Sequence, residues 1–223
     1  MMATEREKKS DADAPKSRAA KSHTTKIIEK TLAPLAGCGA NRLHDVHGFC
    51  GAGRYAHVGL VSLHAWEEPC LAGEKGAGTV FFSGCNMRCA FCQNHEISRE
   101  NFGIAVTEER LADIFLEQEE RGAATLDLVT PTHFAPQIAA TLHLAKAQGL
   151  SIPVVYNSSA YETVDTIKSL AGLVDIFLPD LKYMAEEAAL RYSTAPDYFK
   201  TASAAIRCMR EIAGRPVFDD TNR

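Results

Sequence analysis

The chain predicts an α/β fold: a parallel sheet with its helices packed outside. Three observations lead there. From Gly78 onward, short apolar runs of strand length alternate with longer segments of helical period. Those runs are largely apolar and do not alternate, as strands buried on both faces do not. Glycines follow most of the helical segments, where a helix needs a stop.

Thr79–Phe82 reads as the first strand. Thr107 is an N-cap for a helix with Leu111, Ile114 and Phe115 on one face, ending near Gly122. Leu126–Thr130 follows as a buried strand, then a helix through Ile138, Leu142 and Ala145 to Gly149. Ile152–Tyr156 is the next strand, and Val164, Ile167 and Leu170 mark the helix before Gly172. Val174–Leu178 is another strand. A longer helix spans Asp197–Ala213, with Pro196 near its start and Gly214 after its end. Pro216–Phe218 is expected to open a further strand. Right-handed crossovers curl such a sheet toward a barrel or an open doubly wound form, and periodicity does not choose between them.

The part before Gly78 reads differently. Residues 1–30 are rich in Lys, Arg, Glu, Asp, Ser and Ala and nearly free of large apolar side chains, so they are expected to be a disordered charged tail. Residues 31–78 hold Cys38, Cys50 and Cys70 and five glycines between Gly37 and Gly53, the signature of an irregular module. A short helix is expected around Leu60–Trp66. The domain reading is therefore 1–30 tail, 31–78 cysteine-containing module and 79–223 core. Gly73, Gly76 and Gly78 precede a strand instead of following one, which does not support a dinucleotide fingerprint.

Composition narrows the class. With 223 residues, 46% hydrophobic and 23% charged, the chain can bury a sizeable core. A net charge of −4 gives no reason to expect nucleic-acid binding. No apolar run approaches the roughly 18 residues of a membrane span, and the charged N-terminus lacks the apolar core of a signal peptide. Seven cysteines, an odd number clustered in motifs, fit metal binding in a reducing compartment better than a disulfide framework. The expectation is a cytoplasmic globular domain with no membrane partner.

Cys85, Cys89 and Cys92 lie in TVFFSGCNMRCAFCQN, directly after the first strand. Thiolates spaced Cys-x-x-x-Cys-x-x-Cys can converge on one centre, and thiolates select iron–sulfur clusters, zinc or copper(I). A structural zinc takes four ligands. A four-iron cubane held by three thiolates leaves one iron open for chemistry. His95, just beyond the cysteines, is either a hydrogen-bonding neighbour of the centre or a helix cap. His133 follows a strand end and is either near substrate or a satisfied polar residue.

The cysteine run, with Phe91 before its last cysteine, resembles the radical S-adenosylmethionine (radical SAM) enzymes. Together with CGANRLHDVHGFCGAGR, HAWEEPC, LVTPTHFAPQI, PVVYNSSAYE, DIFLPDLKY and APDYF, it is similar to their pyruvate formate-lyase activating enzyme-like branch. The resemblance runs from about residue 37 to the end. It implies a partial parallel (β/α) barrel of radical SAM type, behind the irregular module and short at its C-terminus, with the site at the carboxyl ends of the strands.

It further implies a [4Fe–4S] cluster on Cys85, Cys89 and Cys92, whose open iron takes S-adenosylmethionine. Phe91 would lie near the adenine. Thr130 and Thr132 occupy the place of a motif that touches the methionine amine. Asn157, Ser158, Asp180 and Lys182 correspond to positions binding the methionine carboxylate and a monovalent cation, where relatives have Asp-Thr in place of Asn157-Ser158. No catalytic residue beyond the cluster is implied. The implied partners are a glycyl radical enzyme as protein substrate and a one-electron donor such as flavodoxin or ferredoxin. Relatives carry two further cysteines before the position of Cys38, and this chain does not. Cys38, Cys50 and Cys70 either hold an auxiliary metal with His44, His47 or His64, or are buried small hydrophobes. Two other functions stand beside the enzyme: a non-catalytic iron–sulfur or redox protein derived from a shortened domain, and a zinc-binding interaction module.

Overall fold

The computed structural model describes residues 47–218. Its strands are β1 (Ala56–His64), β2 (Ala77–Phe82), β3 (Ile104–Val106), β4 (Leu126–Val129), β5 (Val154–Ser158) and β6 (Ile176–Pro179). Its helices are α1 (Pro69–Ala72), α2 (His95–Glu100), α3 (Glu108–Glu120), α4 (Ala135–Ala147), α5 (Val164–Lys168), α6 (Glu186–Ser193) and α7 (Tyr198–Ala213). One six-stranded sheet runs in the order β3-β1-β2-β4-β5-β6. β2, β4, β5 and β6 are parallel, while β1 is antiparallel to both β2 and β3. The sheet is open, as a partial radical SAM barrel would be.

Parallel register follows from the crossovers. Gly78 faces Leu126, and Leu126 in turn faces Val154. β2, β4 and β5 are short and buried on both sides, so their apolar residues do not alternate with an exposed polar face, while β6 at the edge is half-buried. One face packs Val80, Phe82, Leu126, Leu128, Val154 and Tyr156 against the helical layer of α3, α4, α5 and α7. Successive side chains alternate across a strand, which places Thr79, Asp127 and Asn157 on the other face. This shared register lines up the carboxyl ends of β2, β4, β5 and β6, where the connecting loops gather.

Helix α3 starts where its cap places it: the Thr107 hydroxyl accepts the Arg110 N–H at 3.3 Å. Strand β5 begins two residues later than expected because Pro153 has no N–H to give; its carbonyl instead accepts from Leu126 N at 2.9 Å. Val174 closes the preceding turn through its N–H to Leu170 O (3.1 Å), so β6 begins only at Ile176. Asp197 adopts the left-handed conformation (φ 53°) and caps α7, which therefore starts at Tyr198.

Two expectations are corrected. Leu60–Trp66 is not a helix: Leu60–His64 lie in β1, paired from His64 against Ala77. A register shift between Val58 and Leu60, at Gly59, breaks the alternation that would have marked a strand. The strand is held by pairing with β2 from Val58 to His64 and with β3 from Ala56 to Val58. Pro216–Phe218 is not a strand either. All three residues are exposed, and nothing pairs with the outer edge of β6 among the described residues.

The packing makes a direct forecast. Phe115 is fully buried in the core cluster. Phe115→Ala should destabilise the fold by about 3–5 kcal/mol, measured by urea unfolding under reducing conditions. A loss below about 1 kcal/mol would contradict this core.

Candidate metal and cofactor site

At the end of β2 the chain must turn sharply to start the cysteine loop. Gly84 makes that turn with φ +84°, and a Cβ there would sit 2.4 Å from the Cys50 carbonyl oxygen. Only glycine meets both demands. Its N–H is held by Ile97 O at 2.9 Å. Arg88, in the middle of the loop, also has positive φ (72°). Its guanidinium holds it there, donating to Phe49 O (2.8 Å) and stacking 4.5 Å over the Phe49 ring.

Further bonds clamp the loop from both sides. Asn86 Nδ2 donates to Tyr161 O (2.8 Å), and Ala90 N donates to Tyr192 O (2.7 Å). Arg99, near the end of α2, donates to the carbonyls of Cys89 (2.5 Å) and Arg88 (3.0 Å). The loop thus docks onto the turn after β5 and the last turn of α6. Cys85, Met87 and Cys89 pack there with Ala160, Tyr161, Ala189, Ala195, Tyr198 and Ala202.

Cys85 and Cys89 are buried and Cys92 is half-buried. Each sulfur has a hydrogen-bonding neighbour. Met87 N–H donates to Cys85 Sγ (3.4 Å), Ser193 Oγ donates to Cys89 Sγ (2.9 Å), and Ser98 Oγ lies 3.3 Å from Cys92 Sγ. Burial pushes the Cys85 thiol up to about 12; the Met87 N–H opposes this, negative charge on Cys89 and Cys92 adds to it, and Lys182 counteracts it. To ionise together in such a place, three cysteines would require a compensating positive centre. A thiolate bound to a cation is deprotonated outright, so the donor set fits a soft-metal cluster.

Phe91 is exposed, with its ring edge-on to Tyr183 at 6.4 Å. Lys182 Nζ pairs with Asp180 Oδ2, and Asp180 is the more exposed partner. The Tyr198 hydroxyl accepts the Lys182 N–H (2.9 Å) and points at the carbonyls of Ser159 (2.8 Å) and Asp180 (3.0 Å). It thereby ties the loop after β5 to the loop after β6. Lys182, Phe91 and the three cysteines thus share one neighbourhood.

The remaining sequence candidates form a second group. Thr130 is left-handed (φ 57°), with its N–H on Asn157 O at 3.0 Å. The Asn157 side chain reaches Asp127 Oδ2 (3.4 Å) on the far face of the sheet. The Ser158 hydroxyl accepts the Ala160 N–H (3.1 Å), and Thr132 Oγ1 donates to Glu162 Oε1 (2.6 Å). Thr132, Ser158 and Glu162 are all buried. Burial raises the Glu162 carboxyl to about 7, opposed by the Thr132 and Ser158 hydroxyls. Burial also raises Asp127 to about 7, with Glu67 adding to it, and Asp127 Oδ1 has no hydrogen-bond partner among the described residues.

His133 is buried, its Nε2 2.7 Å from Ser83 O and its ring against Phe134. His95 is exposed at the first position of α2. Of the proposed auxiliary ligands, Cys38 and His44 lie outside the described residues. Cys50 packs at the carboxyl end of β2 beside Gly84, whereas Cys70 lies in α1 at its amino end. His47 Nδ1 is 2.9 Å from Gly51 O, and His64 lies beside Glu67. Among the described residues, no three His, Cys, Asp or Glu side chains are grouped to hold a single metal ion. A cubane is a different demand, because it takes each thiolate at a separate iron. No helix among the described residues is long and apolar enough to cross a membrane.

An open α/β sheet with a three-cysteine loop at its carboxyl edge defines a class, and the comparison with known proteins agrees. The chain belongs to the radical SAM superfamily, whose family model matches residues 79–220. That membership implies a [4Fe–4S] cluster and S-adenosylmethionine. Over 171 residues the chain is 32% identical to an uncharacterised protein of Methanocaldococcus jannaschii, covering 73% of this chain and 48% of that relative. It spans about half of that relative's length.

The buried acids predict a pH dependence. Folded, Glu162 keeps its proton up to about pH 7, whereas its ordinary value is 4.5. Between those values the folded state binds more protons than the unfolded one, so stability falls as pH rises. By pH 8 the loss from this one buried group is on the order of 3 kcal/mol. Asp127 adds to the same slope, so Glu162→Gln should remove roughly half of it. Urea midpoints at pH 5 and pH 8 check this, and an unchanged slope in the variant would contradict it.

Proposed function

We propose that this chain is a radical SAM enzyme of the pyruvate formate-lyase activating enzyme-like type, with Cys85, Cys89 and Cys92 as the cluster ligands. The observation that carries the reading is the cysteine loop itself. It is turned by Gly84, clamped by Asn86, Arg99 and Tyr192, and supplied with a hydrogen-bonding neighbour for every sulfur. When bound, the cluster and S-adenosylmethionine together supply a one-electron reductive cleavage that yields methionine and a 5′-deoxyadenosyl radical able to abstract a hydrogen atom.

The protein's own residues supply position and charge. Lys182 brings a cation next to the cysteine loop, suited to the methionine carboxylate. Asp180, largely exposed, offers oxygen to a monovalent cation, with Asn157 and Ser158 on the neighbouring strand end. Phe91 presents an exposed ring for the adenine. Thr130 turns the β4 loop and lends backbone polarity toward the amine, while Thr132 holds that loop from within. The packing of Met87, Tyr161 and Tyr198 behind the cysteines keeps water from the sulfurs.

The substrate reading is a glycine of a large partner protein, with flavodoxin or ferredoxin as electron donor. Exposed Phe91, Leu181 and Met184 around Tyr183 give an apolar rim suited to a macromolecule.

The test is anaerobic reconstitution followed by dithionite reduction with S-adenosylmethionine. Wild type should carry a four-iron cluster and form 5′-deoxyadenosine. Replacing Cys85, Cys89 and Cys92 with alanine should abolish the brown colour and reduce product to background. Unchanged iron in that variant would sink the ligand assignment. A full wild-type cluster that never cleaves the cofactor would favour the non-catalytic redox reading.

A further inference from the structure

We propose that Tyr183 and Ser193 form a hydrogen-bond relay that sets the reduction potential of the cluster through Cys89. The proposal rests on Cys89 being a cluster ligand. Neither residue belongs to the cysteine motif. Ser193 is the last residue of α6, fully buried, and the helix ends there because Thr194 turns left-handed (φ 53°). A serine in a last helical turn commonly bonds back to the carbonyl four residues earlier. Here its hydroxyl is aimed at Cys89 Sγ, 2.9 Å away.

The direction of each bond follows from proton count. A ligating thiolate has no proton, so Ser193 must donate to it. A serine hydroxyl has one proton, so its bond with the Tyr183 hydroxyl, 2.6 Å away, must then be donated by tyrosine. The relay runs Tyr183 Oη–H to Ser193 Oγ–H to Cys89 Sγ. Each donation polarises the next bond, and burial strengthens the one from Ser193 to Cys89.

Two comparisons within the site single out this sulfur. The contacts to Cys85 (3.4 Å) and Cys92 (3.3 Å) are longer, and no second hydroxyl stands behind either in the bonds the structure shows. The same helix end is also fixed to the loop by Ala90 N–H to Tyr192 O, one residue from each end of the Ser193–Cys89 bond. The relay is therefore held in place, not a chance rotamer. Hydrogen bonds to cluster sulfurs help set the potential. A donor to the thiolate stabilises the more negative, reduced cluster and so raises the potential.

The experiment is a reductive titration of the reconstituted full chain without S-adenosylmethionine, followed by the paramagnetic signal of the reduced cluster. Ser193→Ala should keep full iron content and shift the midpoint to more negative potential. Tyr183→Phe, which leaves Ser193 in place, should shift it in the same direction by less. A loaded Ser193→Ala protein with the wild-type midpoint would overturn the relay. If Ser193→Ala does not load a cluster, Tyr183→Phe decides: a wild-type midpoint overturns the proposal and a negative shift upholds it. Cys89→Ala separates the two layers of the argument, because full iron in that variant would remove the ligand reading itself.

Discussion

The proposed site depends on one electrostatic constraint: thiols that would have to become anionic to hold a cluster lie where anions are poorly solvated. Cys85 shows it most plainly, since burial alone drives its thiol toward the neutral form. A loop with that property cannot be left to find its own conformation. Its turn is fixed by Gly84 and Arg88, and its middle is stitched to α2, to the turn after β5 and to the end of α6. The parallel register of β2, β4, β5 and β6 makes the stitching feasible, because it delivers all these loops to one edge of the sheet. Rigidity here also has a chemical use: a cluster that changes charge by one electron reorganises less in a packed, dry surround.

Much of this was legible in the sequence, and the limits were physical. Strands β2, β4, β5 and β6 announced themselves because their apolar residues cluster without polar alternation. Thr107 and Gly149 marked helix ends because capping is local chemistry, whereas α5 stops at Lys168, short of the expected Leu170 and Gly172. β1 did not announce itself. Its alternation is broken at Gly59, and it exists as a strand because it pairs with β2 and β3. α2, α6 and β3 were missed for a similar reason. α2 and α6 are short and mostly polar, β3 is only three residues long, and tertiary contacts decide all of them. The cysteines and Lys182 could be named from a motif, whereas Ser193 and Glu162 could not. A serine at a helix end and an acid after Tyr161 carry no spacing signal, and only the fold shows that one reaches a sulfur and the other a buried threonine.

Glu162 and Asp127 illustrate a cost that the fold accepts. Among the described residues neither carboxyl has a cationic side chain bonded to it, and burial raises both toward neutrality. Apolar replacements would pack such places with less penalty. What the acids add is connection. Glu162 joins the loop after β4 to the loop after β5 through Thr132, and Asp127 meets Asn157 across the same pair of strands. Both links lie beneath the strand ends where the proposed cofactor contacts gather. Stability there is exchanged for fixed relative positions of two loops that covalent geometry leaves independent.

Lys182 connects the two charge problems of the site. It lies close enough to Cys85 to ease that thiol's ionisation, and it is also paired with Asp180. The pair with Asp180 is partly exposed, and such pairs contribute little to stability. Redirecting the ammonium toward the carboxylate of the proposed cofactor would therefore cost little, whereas moving the backbone beneath it would not. Its N–H is fixed on the Tyr198 hydroxyl, and Tyr198 is buried and bonded to two further carbonyls. The arrangement separates functions within one residue. The main chain of Lys182 is part of the rigid frame, while its long side chain remains the adjustable charge beside the sulfurs.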